Sequence, residues 1–144
     1  MIYLTQKLHE VTSQCQMAQN TFSNEACELL TEILSILYKT VGKITVAEQQ
    51  RIVTEHVITE EVLSDMQLLL SVKHNVLLRC VFESILTLFE WTGNLPEPLN
   101  IGGFFANSFT VDKLLQIIET FSDDFRSLSS EVLTYLFRAG IAVE

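Results

Sequence analysis

Proline and glycine are scarce, at two and five in 144 residues. These residues break helices and punctuate turns, so their scarcity makes a helical chain the default. Cysteine is sparse as well. Cys15, Cys27 and Cys80 are odd in number, lack a CxxC pair, and two of them sit within helical patterns. That argues against a disulfide framework or a cysteine zinc site. It leads us to expect reduced thiols and an intracellular protein, cytoplasmic or nuclear. Basic residues are outnumbered, nine against eighteen acidic, for a formal net charge of −9. Nucleic-acid binding draws on a basic surface that displaces counterions, so a direct nucleic-acid partner is disfavoured. The acids are scattered singly, as on a solvated acidic surface. Long apolar runs are missing too. A membrane span takes about 20 apolar residues, and Arg79 interrupts the best candidate, so no membrane role is expected. The first ten residues hold no signal-peptide core, and no Asn-x-Ser/Thr site occurs.

Reactive constellations are equally thin. His9, His56 and His74 are isolated from cysteine, and there is no HExxH. Gly102-Gly103 lacks the Lys-Ser/Thr of a phosphate loop, and there is no GxSxG. No two carboxylates share an apolar stretch that would suit acid–base work. Asp123-Asp124 opens a helix, where acids suit the positive end of the macrodipole. The expectation is a protein without catalytic residues, metal or cofactor.

What is present is apolar patterning. Hydrophobic residues make up 48% of the chain, and mean hydropathy is +0.29. The stretch from Val76 to Trp91 is apolar over most of a helix circumference, so it calls for cover on several sides. Around it the periodicity predicts helices over about 2–18, 24–41, 46–57, 60–72, 111–121 and 123–139. In the first, Leu4, Leu8, Val11, Cys15 and Ala18 form the inward face, opposite Thr, Ser, Gln and His. In the second, Ala26, Leu29, Leu30, Ile33, Leu34, Ile36, Leu37 and Val41 do so. Val111, Leu114, Leu115, Ile117 and Ile118 point inward from the helix after Thr110. Ser23 and Thr59 are predicted N-caps, Thr45 and Glu48 a capping box, and Gly42 and Gly140 helix ends. Lys73-His74-Asn75 makes a tight corner. The one long irregular stretch, Thr92 to Ser108, holds both prolines but also Leu95, Leu99, Ile101, Phe104 and Phe105. A loop that apolar is expected to pack down.

The strong helices also repeat. Ile33-Leu34-Ser35-Ile36-Leu37 matches Ile85-Leu86-Thr87-Leu88-Phe89 at a shift of 52. That in turn matches Val132-Leu133-Thr134-Tyr135-Leu136 at a shift of 47. Upstream, Leu29, Val81 and Leu128 align, as do Ala26, Leu78 and Phe125. A shorter helix precedes each copy. The pattern resembles armadillo and HEAT repeats, whose units of about 40 to 47 residues hold two or three helices. The resemblance covers nearly the whole chain and rests on apolar spacing. It implies an all-α fold of six to eight helices, a short right-handed stack of about three helical hairpins. The chain reads as a single domain over 1–144, either trimmed from something longer or a small complete protein. No asparagine series like that of importin-type armadillo proteins is present.

In such arrays the longer helix of each hairpin lines the binding face. The resemblance therefore implies a groove built from three stripes. They are Glu28, Glu32, Ser35 and Lys39; Cys80, Ser84, Thr87 and Trp91; and Ser127, Glu131, Thr134 and Arg138. Trp91 carries the interface-prone aromatic, set against packing beneath its own loop. Phe104 and Phe105 are a second contact candidate, set against a loop-anchor role. The apolar run Ile141-Ala142-Val143 and the modestly polar first helix allow self-association through the ends. Three functions fit. The first is a scaffold that binds another protein's helix or extended peptide. The second is a structural segment of a longer solenoid. The third is a compact bundle of the viral or apoptotic-regulator kind, with one amphipathic-helix groove.

Overall fold

The computed structural model describes residues 2–19, 21–96, 101, 112, 114–116 and 123–138, the side chains at 123, 124 and 135–138 excepted. All regular structure among them is helical. The helices are α1 (Ile2–Met17), α2 (Asn24–Gly42), α3 (Ala47–His56), α4 (Glu60–Leu69), α5 (Asn75–Gly93) and α6 (Asp123–Arg138). Asp112 and Leu114 to Gln116 are helical too. None of these helices is long and apolar enough to cross a membrane. The chain divides into two compact units, Met1–Val81 and Phe82–Glu144, and α5 runs through the boundary.

The helix starts follow local chemistry. Ser23 Oγ accepts from Ala26 N–H, and Thr59 Oγ1 accepts from Val62 N–H. Both satisfy an N–H that the first helical turn leaves without a partner. α3 differs from expectation. Its N-cap is Val46, with no side-chain cap bond, so Thr45 and Glu48 form no capping box. α5 has a cap that its sequence hides. His74 Nδ1 accepts from Leu77 N–H at 3.2 Å. At the other end of α2, Gly42 remains helical and Lys43 is the C-cap. Gln19 follows α1 with φ of 60°, the left-handed conformation that usually selects glycine or asparagine.

In the first unit, α1 packs on both α2 and α4. Its inward face is Thr5, Leu8, Val11, Thr12 and Cys15, so two threonines expected on the polar side are buried, while Ala18 is exposed. Thr5 Oγ1 donates to the Ile2 carbonyl. Thr12 Oγ1 is buried with no hydrogen-bond partner. α2 contributes Cys27, Leu30, Ile33, Leu34, Leu37, Tyr38 and Val41. Tyr38 Oη donates to Met66 Sδ at 3.1 Å, tying α2 to α4. Burial pushes the Tyr38 hydroxyl far above its ordinary pKa, with the Asp65 charge adding to the shift. All three cysteines are free thiols and buried. In the second unit, the Phe82 and Phe125 rings meet at 6.5 Å, and Ser129 Oγ donates to the Leu114 carbonyl. Leu114 is buried as expected, but Leu115 is exposed. Ile101, from the long apolar loop, is buried.

Candidate functional site

The exposed face of α2 forms one wall of a concavity of about 560 Å³. Asn24, Glu28, Thr31, Glu32, Ser35 and Ile36 line it from α2, and His74 and Val76 line it from the corner before α5 and its first turn. Periodicity explains the wall. Residues 28, 32, 35 and 36 share one side of a helix with 3.6 residues per turn, away from Leu30, Leu34 and Leu37. Ile36 and Val76 are exposed apolar side chains here, at 50% and 62%. Leu29, on the same helix, is also exposed. Ile36 and Leu29 were both expected in the core. They lie at the margins of a face too wide for the neighbours of α2 to cover. The His74 ring is held by its cap bond to Leu77, which ties this part of the lining to the start of α5.

Three of the twelve expected groove residues, Glu28, Glu32 and Ser35, come together in this concavity. Lys39 is exposed on the same helix but is not among the lining residues. The stripe expected on α5 needs correction. Cys80, Ser84 and Trp91 are buried, and Thr87 is half-buried with Oγ1 on the Glu83 carbonyl. Cys80 Sγ donates to the carbonyl of Thr31, itself a lining residue. The exposed side of α5 instead carries Val76, Arg79, Glu83 and Glu90. That is a rotation of one residue, about 100°. Trp91, at 8% exposure, is a buried side chain and not a presented one. On α6, in the second unit, Ser127, Glu131 and Thr134 are exposed. The Arg138 side chain, Phe104 and Phe105 lie outside the described residues, as do Gly140 and the apolar run after it.

A second polar cluster was missed in the sequence. Asp65 is a buried carboxylate on α4, and His9 Nδ1 lies 3.1 Å from its Oδ2. Ser13 Oγ lies 3.4 Å from His9 Nε2, and Glu61 Oε1 is 3.9 Å from His9 Nδ1. Burial raises the Asp65 pKa, the His9 hydrogen bond and charge oppose that, and Glu61 adds to it. The signal was available: Asp65 shares the inward face of α4 with Val62, Met66 and Leu69. A carboxylate at such a position requires a partner. The order Ser, His, Asp is that of a nucleophile relay. Acyl transfer also needs convergent N–H donors for the oxyanion. Ser13 lies within α1, where backbone N–H groups are committed to the helix ladder. The cluster joins α1 to α4 through the His9–Asp65 contact. Among the described residues no three His, Cys, Asp or Glu side chains converge as a metal site. Comparison with protein-family models, with curated proteins and with solved structures finds no match in any of the three.

Proposed function

We propose that this chain is a non-catalytic interaction module, holding a helix or extended segment of another intracellular protein along the exposed face of α2. The observation that carries this reading is the α2 concavity, where exposed Ile36 and Val76 sit beside Glu28 and Glu32. Apolar side chains set in a concave surface with polar neighbours are what a docked helix buries. The fold that accompanies the reading is a short stack of armadillo-like or HEAT-like hairpins. The short corners between α3, α4 and α5 support it. A second reading, a structural segment of a longer solenoid, is favoured by Ile2, Tyr3 and Met17, all exposed on α1. A helix that faces the next repeat has such a surface.

The test is affinity capture from cell lysate with the wild-type chain, Ile36→Glu, Tyr3→Glu and Glu83→Lys, each checked for helicity by circular dichroism. The docking reading expects a protein retained by wild type and Glu83→Lys and lost with Ile36→Glu. Loss with Tyr3→Glu alone moves the contact to α1 and favours the solenoid segment. Retention by the wild type and all three variants alike would sink the docking reading.

A further inference from the structure

We infer that the segment held on α2 is a basic amphipathic helix, with two Lys or Arg residues one turn apart and an apolar residue one turn beyond. The inference rests on the docking reading above and adds the chemistry of the occupant. Its first ground is charge. The acids of the lining, Glu28 and Glu32, are both exposed, and Glu25 is exposed one turn before Glu28. The residues that line the concavity include no Lys or Arg. The whole chain, at −9, adds a long-range field of the same sign.

The second ground is spacing. Glu28, Glu32 and Ile36 follow one another at four-residue steps on one face of α2. Each step is about 6 Å along the helix axis. A helix laid along α2 has the same rise. Its residues i and i+4 then meet Glu28 and Glu32, and i+7 or i+8 meets Ile36. The apolar partner residue covers Ile36 and Val76, the two exposed aliphatic side chains of the concavity. Thr31 and Ser35 supply hydrogen-bonding groups between these points, and Asn24 supplies one a turn before Glu28. Because α2 is regular and the His74 corner is fixed by its cap, the surface is formed before the partner arrives, which limits the ordering cost of binding.

The experiment is selection of a random twenty-residue peptide display library on the whole chain. Counter-selection uses Ile36→Glu and, as an independent block from α5, Val76→Glu. All variants are checked by circular dichroism. Selected peptides are then titrated by fluorescence anisotropy against wild type and the Glu28→Lys/Glu32→Lys double variant, at low and high salt. The expected result is peptides that depend on Ile36 or Val76 and carry Lys or Arg at the i, i+4 spacing. They should lose at least tenfold in affinity on charge reversal, and should weaken in high salt as exposed ion pairs do. Peptides that depend on Ile36 or Val76 but are neutral or acidic, or are indifferent to the reversal, overturn the charge inference and leave the docking face standing. A library that yields no peptide dependent on either residue overturns both.

Discussion

α2 and α5 are the same length, nineteen residues each, and their cores align at a shift of 52. They meet solvent very differently. Ile36 of α2 is half exposed, while its counterpart Leu88 in α5 is fully buried. Leu29 is exposed where Val81 is buried, and Lys39 is exposed where Trp91 is buried. Glu28 and Glu32 face the concavity, but their counterparts Cys80 and Ser84 are covered. The difference shows how two helices of similar apolar spacing can be used in two ways. Similar apolar spacing makes similar helices, but what each helix touches decides which of its sides is left exposed. α2 exposes a face that holds Glu28, Glu32 and Ile36, whereas α5 exposes a stripe through Val76, Arg79, Glu83 and Glu90.

Substitution of aligned pairs tests this contrast most strongly. Trp91→Ala should destabilise by about 3 to 5 kcal/mol and Leu88→Ala by about 2 to 5, as large-to-small changes in a packed interior do. Lys39→Ala and Ile36→Ala, at the matching positions of α2, should stay within about 1 kcal/mol. Chemical denaturation measures all four, and a cost at Ile36 equal to that at Leu88 would break the comparison.

The cap of α5 gives a smaller effect that links the two helices. His74→Ala removes the acceptor for Leu77 N–H and should cost about 1 kcal/mol. Because His74 also lines the α2 concavity, the same variant should weaken a docked peptide. Lost stability with unchanged binding would separate the cap from the site.

The support beneath α2 can be adjusted in the opposite direction. Thr12→Val on α1 replaces a buried hydroxyl that has no partner with a methyl of the same shape. It should raise stability by about 1 kcal/mol without altering peptide binding. A destabilised Thr12→Val would mean that the hydroxyl is satisfied in solution.

The smallest effect is one of pH. Burial raises the Asp65 pKa above 3.8, so the folded chain holds this proton more firmly than the unfolded chain. Stability from this group is therefore present in acid and falls as pH rises from about 3.8 through the raised value, with His9 limiting the fall. Asp65→Asn keeps an acceptor for His9 and removes the titration. Its melting temperature should lose that segment of pH dependence relative to wild type. An unchanged profile would place the Asp65 pKa in its ordinary range.

Much of this was legible in the residues. Ser23 and Thr59 announce helix starts because a short hydroxyl can reach a free N–H two or three residues on. The four long helices follow from apolar spacing, and the burial of α5 follows from its having few polar sides. Other features were not. Thr45 and Glu48 carry the capping-box pattern, yet the chain starts α3 from Val46. His74 caps α5 although histidine is not a usual capping residue. Leu115 looked inward by spacing and is exposed. Cys80, Ser84 and Trp91 were placed on the open stripe because the repeat was assumed to present equivalent sides.

The amino-acid sequence by itself determined that the chain is helical, where most helices begin and end, and that its net charge is acidic. These are local matters, settled by backbone propensity, caps and the count of side chains. Only the tertiary structure decided which side of each helix is open, that Asp65 meets His9 across 56 positions of chain, and that the start of α5 lines the α2 concavity. Those depend on which helices become neighbours. Helix period constrains the angle between two side chains on one rod, but it carries no information about which rod lies beside it.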